Sequence, residues 1–206
     1  GSRRHYLCIM IYRFKNFIPV IHPTAFVHPL AVVTGCVSIG KNVYVGPYAI
    51  LRGDFGEIQV DAGCNIQEHC LVHMFPGVKV WLKDNCHVGH GAIIHGATVG
   101  KDCLLGMNSV IMDDSNIGDE CIIGAMSFVK EGSVFEPRSL VVGNPAKKIK
   151  TVSDEMLRWK DKGTELYQQL AAECHTELEE VSPLTEKPAD YPTPAGTYAS
   201  WGRKNS

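Results

Sequence analysis

Aliphatic residues recur every six positions along most of the chain, and this period predicts the fold. Neither an amphipathic helix nor a plain alternating strand repeats every six residues, but a coil of short strands joined by turns does. The position two residues before each repeat aliphatic is often small, and strand alternation sends both side chains to the same side. We therefore predict a hexapeptide β-helix with three faces per coil. The repeat aliphatics are Ile21, Val27, Val33, Ile39, Val45 and Leu51, then Val60, Ile66 and Val72, then Ile93, Val99, Leu105, Ile111, Ile117, Ile123 and Val129.

The repeat ends near Val141, and the pattern becomes helical. Ser153 followed by two acidic residues is typical of a helix N-terminus, with a capping hydroxyl and an acidic first turn. We predict a β-helix domain over residues 10–150, a C-terminal helix over 151–181 and a flexible, proline-containing tail over 182–206. Residues 1–9 are expected to be a leader from outside the native protein, because Gly1-Ser2 resembles a cleavage scar.

Composition excludes several functional classes. The formal net charge of -2 gives no electrostatic reason to expect binding to nucleic acid or to an anionic membrane. No segment is long and apolar enough to cross a bilayer, so we expect a cytoplasmic protein. Four of the eight cysteines fall on the small inward position of the repeat, where a thiol acts as a compact hydrophobe, and we assign them a structural role. These four are Cys64, Cys70, Cys103 and Cys121.

The candidate chemistry lies in a group of histidines beside the two breaks of register. His73 and His95 each follow an inward aliphatic, so their side chains should leave the core at a turn. They are 22 residues apart, which corresponds to one coil of 18 residues plus a bulge of four around residues 74–80. We therefore expect both side chains on the same edge of consecutive coils, close enough to share a metal ion.

His90 cannot easily join that pair within one chain. Five residues of extended chain separate it from His95 and span roughly 16 Å at about 3.3 Å per residue. Ligands of one zinc ion lie only about 2.0–2.1 Å from it. A symmetric trimer removes the conflict, because His90 of one subunit can meet the pair of its neighbour. Three imidazoles with an open fourth position are typical of catalytic zinc.

Five sequence strings resemble the γ-class carbonic anhydrase family, and within it the bacterial PaaY- and CaiE-like proteins named for phenylacetate degradation and the carnitine operon. The resemblance runs from about Met10 to Val181 and includes residues 163–167 of the predicted helix. The strings are Leu51-Arg52-Gly53-Asp54, Asn65-Ile66-Gln67 with His73 downstream, residues 89–96 (GHGAIIHG), residues 106–110 (GMNSV) and residues 142–147 (VGNPAK).

The resemblance implies a left-handed parallel β-helix with a C-terminal α-helix, and a homotrimer with a metal at each subunit interface. It assigns the metal ligands as His73 and His95 of one chain and His90 of the next. It also implies that Arg52 and Asp54 form an ion pair at the interface. It assigns the amides Asn65 and Gln67 the role of orienting a metal-bound water. Tyr167 would be an active-site tyrosine, with simple packing as the alternative.

We accordingly expect a metal-dependent enzyme. Zinc, with iron or cobalt as alternatives, would activate water to hydrate carbon dioxide or to hydrolyse an acyl-CoA thioester, so the predicted class is a carbonic anhydrase-like zinc lyase or hydrolase. The predicted partners are a small-molecule substrate, carbon dioxide/bicarbonate or acyl-CoA, and two further copies of the chain. Two alternatives remain open. One is a non-catalytic accessory protein of acyl-CoA or carnitine metabolism, and the other is a metal-free hexapeptide acyltransferase with a histidine base.

Overall fold

A computed structural model describes residues 10–192, 196 and 198–204 of the chain. It consists of a coil of short strands, β1 to β20, followed by helix α1 (Asp154–Glu177) and a short helix α2 (Trp201–Lys204). The strands are β1 Met10–Tyr12, β2 Val20–Ile21, β3 Phe26–Val27, β4 Val32–Ile39, β5 Tyr44–Val45, β6 Ile50–Val60, β7 Asn65–Ile66, β8 Leu71–His73, β9 Lys79–Leu82, β10 His87–Val88, β11 Ile93–His95, β12 Thr98–Val99, β13 Leu104–Leu105, β14 Val110–Ile111, β15 Asn116–Ile117, β16 Ile122–Ile123, β17 Phe128–Val129, β18 Val134–Phe135, β19 Ser139–Gly143 and β20 Ala146–Thr151.

The strands pair in parallel with strands one coil away, which confirms the predicted parallel β-helix of hexapeptide repeats. One face is an eight-stranded sheet in the order β20-β19-β16-β13-β10-β7-β5-β3. Strands β4 and β6 are long enough to turn a corner, and they join the other two faces into one twelve-stranded sheet. Strand β20 runs antiparallel to its neighbour, β19, where the coil ends.

The core is the predicted column of stacked aliphatic side chains. Burying each large aliphatic side chain contributes about 1.5–3 kcal/mol. One predicted position is wrong: Ile93 is 37% exposed and the adjacent Ile94 is fully buried. The inward positions step by five residues, not six, from Ile94 to Val99, so a strict six-residue period misassigns this strand. Members of the column with no exposed surface include Val33, Leu51, Val72, Ile111 and Val129.

Four cysteines occupy the inward position that was predicted for them. Cys64, Cys70, Cys103 and Cys121 are at most 1% exposed, and all of them are free thiols. The Sγ of Cys103 donates a hydrogen bond to the carbonyl of Gly118 at 3.0 Å, so the thiol also satisfies a backbone acceptor. The packing role predicted for these four thiols is confirmed.

Helix α1 flanks the coil. Its N-cap is Ser153, whose hydroxyl accepts a hydrogen bond from the backbone N–H of Met156 at 3.3 Å, as the sequence predicts. The helix ends at Glu177, four residues before the predicted end, and it continues unbroken through Gly163. Near its C-terminal half, Ala171 packs against Phe26 and Tyr44 of the coil.

The segment predicted as a flexible tail packs partly against the helix. The ring of Tyr198 stacks on Trp159 with centroids 5.8 Å apart, and Trp201 of α2 meets the same indole edge-on at 6.0 Å. The Nε1 of Trp159 donates a hydrogen bond to the carbonyl of Ala199 at 2.9 Å. The predicted leader, residues 1–9, lies outside the described residues. Within the described chain, neither helix combines the length and hydropathy needed for a membrane span.

Candidate histidine site

Two histidines lie side by side at one corner of the coil. His73 ends β8 and His95 ends β11, and their Cα atoms are register partners in adjacent parallel strands. Their ring centroids are 5.4 Å apart. Two exposed phenylalanines flank the pair, with Phe55 at 5.4 Å from the ring of His73 and Phe75 at 5.0 Å from the ring of His95. The predicted adjacency of His73 and His95 is confirmed.

Asp54 orients the first histidine of the pair. Its carboxylate accepts hydrogen bonds from Nη2 of Arg52 at 3.0 Å and from Nε2 of His73 at 3.1 Å. Burial raises the pKa of Asp54, but the hydrogen bonds from Arg52 and His73 outweigh it, so the pKa lies below its usual value. A Cβ at Gly53 would lie 2.5 Å from the carbonyl oxygen of Cys36, so the part of β6 that carries Asp54 requires glycine there. The Arg52–Asp54 pair forms within one chain, and its interfacial role stays a prediction.

Asp113 orients the second histidine in the same way. The Nδ1 of His95 donates to the carboxylate of Asp113 at 2.7 Å, and the Asp113 side chain is only 7% exposed. Gly96 has a φ of +59°, and a Cβ at that position would overlap Oδ1 of Asp113. A glycine after His95 is therefore needed both for the turn and for the approach of the carboxylate. Each histidine of the pair thus has one ring nitrogen fixed by a carboxylate.

His90 lies at the opposite corner of the same face. Strand β11 crosses that face between His90 and His95, and its outward residue Ile93 is 37% exposed. The Nδ1 of His90 donates to Glu68 at 2.5 Å, and Glu68 accepts a further hydrogen bond from the hydroxyl of Tyr44 at 3.2 Å. Within residues 10–192, 196 and 198–204, no three His, Cys, Asp or Glu side chains are placed to hold one metal ion. The metal site shared between chains stays a prediction.

The two predicted orienting amides hold a different histidine, His87. The buried Nε2 of Gln67 donates to Oδ1 of Asn65 at 2.9 Å and lies 2.8 Å from Nε2 of His87. The amide of Asn65 lies 3.2 Å from the other nitrogen of the ring. Burial, with smaller effects of Lys160 and His90, lowers the pKa of His87 to about 4, so the imidazole is neutral at pH 7. The roles of Asn65 and Gln67 toward a bound water stay predictions.

A largely apolar groove of about 320 Å³ runs between this corner of the coil and helix α1. We call it the helix groove. Tyr167 of α1 forms part of its wall and packs edge-on against His87, with ring centroids 5.3 Å apart. Burial raises the pKa of Tyr167 to about 12, so its hydroxyl remains protonated. Gln67 and His90 also line the groove, so the predicted site residues fall into two groups, one around His73 and His95 and one around the groove.

Sequence reasoning did not identify the carboxylate partners of two histidines. Asp113 follows His95 by 18 residues, which is one coil, so the coil period is a signal that could have found it. Glu68 precedes His90 by 22 residues, which is one coil plus the bulge of four. The structure also places His87 against both amides and in the groove.

Comparisons with known proteins agree on the repeat. The family model "Bacterial transferase hexapeptide (six repeats)" matches residues 18–53 and 96–131. The chain is 50% identical over 186 residues to the carnitine operon protein CaiE of Escherichia fergusonii, and equally so to that of Shigella flexneri, covering 90% of this chain and 95% of each relative.

Solved structures with the same fold are similar over most of the chain. A Bacillus cereus protein described as a candidate acetyltransferase has a TM-score of 0.78 and 32% identity, covering 79% of this chain and 95% of that one. A hexapeptide transferase family protein of Anaplasma phagocytophilum has a TM-score of 0.76 and 29% identity, covering 79% and 96%.

The predicted enzyme class is wrong. We predicted a carbonic anhydrase-like zinc lyase or hydrolase, with acyl-CoA thioester hydrolysis as one possible reaction. The comparisons contradict this class, because the relatives are CaiE proteins and the similar structures are described as transferases. The physical reason is that the hexapeptide coil and its corner histidines are an architecture that several chemistries can use, so the motifs specify the coil better than the reaction.

Proposed function

Since the chain belongs to the CaiE family of hexapeptide-repeat proteins, we propose that it is a non-catalytic accessory protein of acyl-CoA and carnitine metabolism that binds an acyl compound beside His90. The observation that carries the proposal is the junction of the His90–Glu68 pair with the helix groove. A polar corner beside an apolar groove suits a ligand with a polar carbonyl and an apolar chain.

The proposed assembly is a homotrimer. The outward residues of β6, β8, β11, β14 and β17 form an apolar strip between the two histidine corners, and most of them are half-buried in the single chain. Contact of this strip with a second copy would bury it and would bring His90 of one subunit toward the His73–His95 pair of another. The residues of the strip are Ile50, Leu71, Ile93, Val110 and Phe128.

The donor set at that contact fits a divalent metal. His73 and His95 each have one nitrogen held by a carboxylate, which leaves Nδ1 of His73 and Nε2 of His95 as ligands, and carboxylate support of this kind accompanies metal-binding imidazoles. We propose zinc, iron or cobalt there, with His90 of the neighbouring subunit as the third ligand. The bound ion would supply a fixed positive charge that polarises a carbonyl or carboxylate oxygen. In the chain itself, Asp54 and Asp113 fix the two rings.

Two measurements on the intact protein test this proposal. Isothermal titration with acyl-CoA, free CoA and L-carnitine should detect binding of at least one acyl compound, and metal analysis of the purified protein should give about one ion per chain. His90→Gln should weaken acyl binding, because it removes one ligand of the proposed ion that would polarise the acyl oxygen, whereas His22→Gln, at a turn far up the coil, should not. An absence of binding by every acyl compound would reject the accessory role.

An acyltransferase is the second candidate, and the His90–Glu68 pair favours it specifically. A histidine whose Nδ1 is held by a carboxylate at 2.5 Å resembles a general base with its orienting group. Similarity to the Bacillus cereus structure described as a candidate acetyltransferase supports the same idea. Metal-free protein that releases CoA from acetyl-CoA only when an acceptor alcohol such as L-carnitine is present would favour this candidate. A metal-containing protein with no transfer would reject it.

A further inference from the structure

The helix groove is lined mainly by apolar side chains, and His90 is among its lining residues. Its coil side presents Leu104 and Met107, and its helix side presents Trp159 and Leu166. The volume of about 320 Å³ is at the low end of the range of about 300–1,000 Å³ that is typical of small-molecule pockets. The groove therefore suits a short or medium apolar group better than a whole coenzyme.

We propose that the helix groove holds the acyl chain of a CoA thioester or carnitine ester whose carbonyl lies at His90, and that Tyr198 is the wall that limits the length of that chain. This inference rests on the proposed function, since it specifies the part of the ligand that the same site selects.

The charged and polar groups of the groove are arranged for an uncharged occupant. The ammonium of Lys160 has no exposed surface and donates to the carbonyl of Asn85 at 2.9 Å, so it does not point a charge at a ligand. His87 is neutral and is held by the amides of Asn65 and Gln67. An apolar chain can therefore enter without leaving a buried charge unpaired.

The mouth of the groove is open where the carbonyl would lie. The side chain of His90 is 48% exposed, and the neighbouring Met107 is 53% exposed. A bulky polar portion, either CoA or carnitine, can remain outside while the chain enters. An ion bound at His90 would polarise an ester or thioester carbonyl that lies at this position.

Tyr198 lines the groove from the C-terminal segment. Its hydroxyl donates to the carbonyl of Trp159 at 3.1 Å, its ring stacks on the Trp159 indole, and Trp159 in turn donates to Ala199. The position of Tyr198 also depends on Gly163, where a Cβ would lie only 3.0 Å from the Tyr198 hydroxyl. Two hydrogen bonds thus attach the segment that carries Tyr198 to helix α1. Because Tyr198 is not part of the coil, its side chain can be removed without altering the coil.

The experiment compares chain-length profiles in the full-length protein. Isothermal titration with acyl-CoA and acyl-carnitine series from two to twelve carbons should show binding that tightens about fourfold for each added methylene until the groove is full, and then levels off. Tyr198→Ala should move that limit to longer chains, and Leu104→Phe should move it to shorter ones. Tyr191→Ala, another exposed tail tyrosine outside the groove, should leave the limit unchanged.

Comparison of the two series shows whether the acyl group is bound as a CoA thioester or as a carnitine ester. The outcomes also separate the proposal for the groove from the proposed accessory role. A shift of the limit in opposite directions by Tyr198→Ala and Leu104→Phe, in either series, supports the groove. Binding with the same chain-length profile in wild type and in both variants, with circular dichroism unchanged, overturns the groove but leaves the accessory role intact. No binding of either series by the wild type overturns both.

Discussion

At the scale of single residues, the sequence predicts which histidines meet but not what holds them. His73 and His95 follow inward aliphatics at matching points of adjacent coils, and the strand register makes them neighbours. Their carboxylate partners come from different places, since Asp113 is one coil away and Asp54 lies within the long strand β6. Side-chain directions at this point of β6 depend on close backbone approaches like that of Gly53, which residue spacing does not encode.

We predict that Asp113→Asn weakens metal affinity about 10- to 100-fold, because the carboxylate that orients His95 and increases its basicity is lost. Competition with a chromogenic chelator measures the affinity. Asp114→Asn is the matched control, because Asp114 is exposed and its backbone conformation, with a φ of +55°, suits asparagine. Equal affinities in the wild type and Asp113→Asn would show that this carboxylate does not support a metal ligand.

Because His87 is buried, we expect the free energy of unfolding to depend on pH. Its pKa falls from 6.5 in the unfolded chain to about 4 in the folded protein, so the unfolded chain binds more protons between these values. The contribution to stability is therefore intact above pH 6.5 and is lost as the pH falls toward 4, by up to about 3 kcal/mol. Denaturant titrations of wild type and His87→Gln at pH 7.5, 5.5 and 4.5 measure this loss. An equally steep decline in His87→Gln would assign the pH dependence to other groups.

At the scale of elements, the hexapeptide period predicts the coil because inward side chains stack from one coil to the next. It misplaces Ile93 because one step contains five residues, and a turn can lose a residue without disturbing the stack. The helix stripe predicted through Val181 extends too far, since Leu178 and Val181 are 50% and 67% exposed beyond the end of α1. The packing of Tyr198 on Trp159 gives no periodic signal, so composition alone favoured a flexible tail.

Lys160 attaches helix α1 to the coil. Its buried ammonium donates to the carbonyl of Asn85 and lies 3.6 Å from Asp102, so it links the helix to two coil residues. Lys160→Met keeps the volume but leaves the carbonyl unsatisfied, and we expect a loss of about 1–3 kcal/mol in the free energy of unfolding. Lys162→Met, an exposed position of the same helix, is the control. Urea denaturation that shows the same stability in both variants would argue against this link.

At the scale of the whole molecule, a single chain contains the histidines but does not bring them together. His90 and the His73–His95 pair lie at the two corners of one apolar strip, and no three metal-binding side chains meet among the described residues. Sequence spacing predicts this separation, because β11 spans the face between the corners. The reaction class was predicted wrongly because one hexapeptide coil can carry different chemistries, so the coil does not specify the reaction.

Mixed trimers give the sharpest test of a site shared between subunits. We predict that His73→Ala and His90→Ala each lose the metal when expressed alone, because every interface then lacks one imidazole. The mixed trimer of the two variants should recover about a third of the wild-type metal content, since one of its three interfaces pairs an intact His73–His95 corner with an intact His90. Metal analysis of the doubly tagged mixed trimer measures the recovery, and co-expression of His73→Ala with His95→Ala is the control. These two changes lie in the same corner, so no interface regains both rings and the metal content should stay low. Recovery in the control, or none in the first mixture, would mean that the histidines do not combine across subunits.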